Sequence, residues 1–149
     1  MRATRNTALV LGASACAFLI GTALLWMLLR DDGGSARIVL GRQLYGAYCA
    51  SCHGAALQGE PDWQSPKPNG LMPAPPHDAS GHTWHHSDEE LFRITKFGMG
   101  AVVPNHRSAM PAFGGALSDR EIEAILAFIK STWPERERTY QQERSRSSS

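Results

Sequence analysis

The chain has 149 residues, 15 of them Lys or Arg and 14 Asp or Glu, for a formal net charge of +1. That balance gives no support for nucleic-acid binding and no strong basic face to steer an acidic partner. Setting aside the apolar N-terminal run leaves about 115 residues, enough for one small domain and not two.

Residues 1–6 carry Arg2 and Arg5 and are expected to stay cytoplasmic. They precede an uncharged run, Thr7 to Leu29, rich in Ala, Leu, Val, Ile, Phe, Trp and Met. Its 23 residues exceed the roughly 20 that a hydrocarbon core requires. A cleaved signal peptide has a shorter apolar region ending in small residues, whereas this run ends in Leu24-Leu25-Trp26-Met27-Leu28-Leu29. Ala13-Ser14-Ala15-Cys16 faintly resembles a lipoprotein cleavage box, but the apolar run continues well past it. The reading is an uncleaved transmembrane signal anchor, with the rest of the chain exported and Cys16 a small membrane residue. Residues 30–35, containing Asp31-Asp32-Gly33-Gly34-Ser35, read as a flexible linker.

A helix is expected from Ala36 to Tyr48, with Ile38, Val39, Leu40, Leu44, Tyr45 and Tyr48 as its apolar positions. It leads straight into Cys49-Ala50-Ser51-Cys52-His53. Two thiols separated by two residues can each add to a vinyl group of one haem, and the adjacent histidine then serves as proximal iron ligand. A zinc site would need a second ligand pair, and Cys16 is the only other cysteine. Covalent haem c through Cys49 and Cys52 also suits the exported side of a bacterial inner membrane, so the periplasm is the expected compartment. A domain this small is marginal on its own apolar burial, and all nine prolines lie beyond residue 60. A large apolar cofactor would complete its core.

A long irregular loop runs from Gly54 to His86. His77, His82, His85 and His86 fall close together in it. One reading makes them a copper or zinc site; the plainer one is a polar loop, with Trp84 or His82 donating to a haem propionate. The next helix, Ser87 to Phe97, opens on the capping box Ser87-Asp88-Glu89-Glu90 and stops at Gly98. Met110, in Ser108-Ala109-Met110-Pro111-Ala112-Phe113, is the best sixth ligand, 57 residues after His53 and stiffened by Pro111. His106 is its nearest rival. The last clear helix, Ser118 to Thr132, opens on Ser118-Asp119-Arg120-Glu121 and repeats Ile122, Ile125, Leu126 and Ile129 at i, i+3, i+4, i+7. Trp133-Pro134 ends it. Residues 135–149 read as a disordered tail or a helix extension. With no strand pattern, the class is all-α.

From residues 36 to 134 the chain resembles a class I c-type cytochrome, in particular a bacterial, membrane-anchored monohaem one. The likeness rests on Gly41-x-x-x-Tyr45, Cys49-Ala50-Ser51-Cys52-His53-Gly54, Met110-Pro111-Ala112-Phe113 and the last helix through Ala127-Phe128-Ile129. It implies three main helices around one haem, with Gly41 and Tyr45 meeting Phe128 where the first and last helices cross. It also implies a proline carbonyl accepting from the free N–H of His53, for which Pro75 is the choice within Pro73-Ala74-Pro75-Pro76.

With His53 and Met110 on the two axial positions, the iron exchanges single electrons rather than binding substrate, and the thioether raises its potential. The expected role is non-enzymatic electron transfer between membrane complexes, such as a quinol-oxidising donor and a terminal oxidase. Were Met110 not a ligand, gas sensing or peroxidatic chemistry would be the alternative.

Overall fold

The computed structural model describes Thr22 and residues 32–148. Five α-helices follow one another there: α1 (Asp32–Tyr48), α2 (Ala50–His53), α3 (Asp88–Phe97), α4 (Asp119–Ser131) and α5 (Glu135–Ser147). Short 3₁₀ turns lie at Thr83–His85 and Met99–Ala101, and no strand occurs among the described residues. The all-α expectation is met. The chain divides into two units, Met1–Ala36 and Arg37–Ser149, and the second holds the core and the site described below. No described helix is long and apolar enough to cross a membrane. The run from Thr7 to Leu29, expected to do so, falls outside the described residues except at Thr22.

Helix α1 starts earlier than its apolar pattern suggested. Residues 32–35, read as part of a flexible linker, are already helical. Only part of its predicted apolar face is used. Gly41 and Tyr45, one turn apart, are buried, while Ile38, Val39, Leu40 and Tyr48 stay exposed. The buried pair meets α4. A Cβ on Gly41 would lie 1.9 Å from the Ala124 carbonyl oxygen, so only glycine permits this approach. Tyr45 stacks at a tilt on Phe128, with ring centroids 5.5 Å apart. The crossing expected for Gly41, Tyr45 and Phe128 is present.

Helices α3 and α4 begin where their capping signals lie. Glu90 N–H donates to Ser87 Oγ (3.2 Å), and Ser87 N–H donates back to the Glu90 carboxylate (2.9 Å). At α4, Ser118 N–H and Oγ both donate to the Glu121 carboxylate, at 2.8 and 2.7 Å. Ile122, Ile125 and Ile129 are buried on one stripe of α4. They form the core with Tyr45, Leu57, Leu91, Leu117 and Trp133.

Residues 135–147, expected as a disordered tail or a helix extension, form a helix of their own beyond Pro134. Its composition hides the anchor, because the buried side chains are polar: Glu137 and Gln141. Gln141 Nε2 donates to Asp88 Oδ1 at 2.7 Å, and Tyr140 meets the Trp84 ring edge-on at 5.3 Å. Helix α5 thereby packs on the 83–85 turn.

Candidate functional site

The backbone carries α1 into the attachment motif with little interruption. Cys49 N–H donates to Tyr45 O and His53 N–H to Cys49 O, each at 2.9 Å. Cys49 and Cys52 are thus three residues apart on helical backbone, on neighbouring positions of one face. Neither is in a disulfide. Burial, with Cys52 adding to it, pushes the half-buried Cys49 thiol up to about 11, while Cys52 is exposed. Gly54 then turns the chain with φ +81°, and its carbonyl accepts from Tyr45 Oη at 2.9 Å.

His53 is buried, and its Nδ1 lies 2.8 Å from Pro75 O. A carbonyl can only accept, so Nδ1 carries the proton and Nε2 keeps its lone pair. Burial holds the ring below the ordinary histidine value, although the Pro75 carbonyl and Glu60 pull the other way. A neutral imidazole with a free Nε2 is the form that binds a metal.

The loop from Gly54 to His77 brings Pro75 to this point by its own bonds. Gly59 N–H donates to His53 O and His77 N–H to Leu57 O, each at 2.8 Å, and Glu60 N–H donates to Ala74 O at 2.9 Å. The Glu60 carboxylate takes the Ala74 N–H at 2.7 Å. Gly59 has φ +69°, and a Cβ there would strike the 75–76 backbone.

Met110 is half-buried in an irregular segment, its N–H donating to Ser108 Oγ at 3.0 Å. The residues after it are tied down on two sides. Phe113 N–H donates to Thr95 O (3.0 Å) and Gly114 N–H to Lys96 O (2.9 Å), near the end of α3. The Phe113 ring meets Tyr48, the neighbour of Cys49, edge-on at 6.3 Å. The methionine segment and the attachment helix are therefore joined through one aromatic contact. His106 is exposed.

Trp84, like Cys49, packs half-buried against the core. Its ring packs with His85 (3.8 Å) and Tyr140 (5.3 Å), and its Nε1 is buried without a partner. The loop histidines have different partners: His77 stacks on His53, His82 stacks on Trp63 and meets His86 edge-on at 5.5 Å, and His85 meets Trp84. Among the described residues, no three His, Cys, Asp or Glu side chains come together to hold a metal ion.

Two features had no sequence signal strong enough to read. The His77 ring lies parallel to that of His53, with centroids 4.0 Å apart and planes 21° apart. Trp133, read only as a helix stop, is 1% exposed, and its Nε1 donates to His77 O at 2.7 Å. A tryptophan placed just before a helix-ending proline was the available hint.

The donor set fits haem c: two reduced thiols at vinyl spacing, a neutral histidine with Nε2 free, and apolar surface at Tyr48, which is 40% exposed beside Cys49. Comparison with known proteins agrees. The family described as cytochrome c oxidase, cbb3-type, subunit III matches residues 36–129. Cytochrome c6 of Tetradesmus obliquus is 32% identical over 98 residues, which span 64% of this chain and 90% of that protein. No solved structure matches. The chain belongs to the class I c-type cytochromes, electron-transfer proteins that carry covalent haem c, here on Cys49 and Cys52.

Proposed function

We propose that this cytochrome is a membrane-anchored, closed one-electron carrier, with His53 and Met110 as axial ligands. Haem supplies a single Fe(III)/Fe(II) couple. The protein's own groups decide how that couple behaves. Pro75 O, by accepting from Nδ1–H, fixes the tautomer of His53 and makes Nε2 more basic. The Met110 thioether favours the reduced state, and a low-dielectric surround disfavours the added charge of the oxidised one. The contact between Tyr48 and Phe113 holds the methionine segment against the attachment helix, which supports a closed sixth position. The observation that carries the reading is the 2.8 Å pair between His53 Nδ1 and Pro75 O, beside two free thiols.

The uncharged run from Thr7 to Leu29 behind Arg2 and Arg5 supports a single-pass anchor in a bacterial inner membrane, with the haem domain on the periplasmic side. Tethering would raise the local concentration of the domain near membrane partners. The matching family is described as an oxidase subunit, which favours a terminal oxidase as electron acceptor; a quinol-oxidising complex is the natural donor.

The test is the ferric spectrum of the holoprotein. The wild type should be low-spin with the long-wavelength methionine–iron band, and Met110→Ala should lose that band. If the band persists in Met110→Ala, another residue is the ligand.

A further inference from the structure

The Pro75 carbonyl constrains one edge of the His53 imidazole, but a single hydrogen bond leaves the ring free to tilt and swivel about it. The face of the ring is covered by His77, stacked at 4.0 Å with planes 21° apart. His77 is itself held on several sides. Its Nδ1 lies 2.8 Å from Thr83 Oγ1, and Thr83 Oγ1 lies 3.3 Å from Pro76 O. Since the threonine has one proton and Pro76 O can only accept, the hydroxyl donates to Pro76 O and accepts from His77 Nδ1–H. The His77 backbone is fastened at both ends, N–H to Leu57 O at 2.8 Å and O to Trp133 Nε1 at 2.7 Å. Tyr45 closes the remaining side edge-on, at 6.1 Å.

We infer that His77 is a positioning residue that sets the plane of the His53 imidazole, with Thr83 and Trp133 fixing His77 in turn. The inference rests on the reading of His53 as proximal ligand. A planar ring braced against another fixes its rotation, whereas an aliphatic side chain of similar bulk fills the space without defining an angle. The plane would matter with haem bound, because the imidazole π orbital would overlap the iron d orbitals. Together with the thioether of Met110, its orientation would set how unpaired spin is shared among the four pyrrole rings.

The test is the proton NMR spectrum of ferric full-chain holoprotein, reading the order and spread of the four haem-methyl resonances. His77→Leu should change that pattern, and His77→Phe, which restores a flat ring without its hydrogen bonds, should return it toward wild type. A role in packing alone would lower the stability of His77→Leu and leave the pattern as in wild type; that result overturns the inference. Should His77→Leu yield no folded holoprotein, Thr83→Val is read in its place: a changed pattern supports the inference and an unchanged one overturns it. Absence of the methionine band in wild type would instead fault the ligand reading of Met110, an outcome visible separately in the optical spectrum.

Discussion

The side chains around His53 act as an ordered series of supports, each fixing the next. Trp133 anchors the backbone of His77, His77 covers the ring of His53, and the Pro75 carbonyl accepts from its Nδ1–H. Trp133→Phe keeps an aromatic ring but removes the Nε1–H and part of the buried indole volume, leaving His77 O without that donor. The expected cost is about 1–3 kcal/mol for the buried polar group left unpaired, with a further loss for the void. Chemical denaturation of the holoprotein measures it, and an unchanged midpoint would show that the bond carries no net stability. At this scale the sequence was legible where the chemistry is local. Cys49, Cys52 and His53 announce themselves by spacing alone. Pro75 was chosen from a run of three prolines through family likeness, and it is the one whose carbonyl faces His53. His77 was not legible, because stacking between residues 24 positions apart leaves no local pattern.

Helices α3 and α4 could be read almost to the residue, since capping boxes and the 122-125-129 stripe are short-range signals. Helix α5 could not, because it docks through Gln141 and Tyr140 rather than an apolar stripe. The start of α1 was misjudged for a related reason: Gly33 and Gly34 suggest a linker by composition, yet no neighbour lies where their side chains would be and the helix runs through them. Glycine has two opposite meanings within α1, and this gives a paired prediction. Gly41→Ala puts a Cβ 1.9 Å from backbone that cannot step aside. Overpacking of about 1–3 kcal/mol should outweigh the roughly 1 kcal/mol gained in helix propensity, for a net loss of stability. Gly46→Ala has nothing within 4 Å and should stabilise by up to about 1 kcal/mol. Thermal denaturation of the two variants should move in opposite directions; a shift of the same sign would mean that the α1–α4 crossing is not the constraint.

For the whole domain, the cofactor and the charge pattern set the behaviour. The two capping carboxylates sit below the ordinary glutamate value of 4.5: Glu90 chiefly through the Ser87 backbone N–H, and Glu121 chiefly through the Ser118 hydroxyl. Well above pH 4.5 both are ionised whether the chain is folded or not, and their stabilisation is complete. As the pH falls below that value the unfolded chain binds protons first, so stability drops until the folded carboxylates also titrate. Denaturation midpoints between pH 7 and pH 3 should follow this course, and a Glu90→Gln, Glu121→Gln double variant should show a shallower fall. An identical slope would place the acid sensitivity elsewhere. The central claim is that both axial positions belong to the protein, which makes the domain a carrier of single electrons. Its most direct test is exposure of the reduced wild-type holoprotein to carbon monoxide. The visible spectrum should stay unchanged, because His53 and Met110 close the site. A prompt shift to a carbon monoxide complex would contradict the claim and open the sixth position to gas sensing or peroxidatic chemistry.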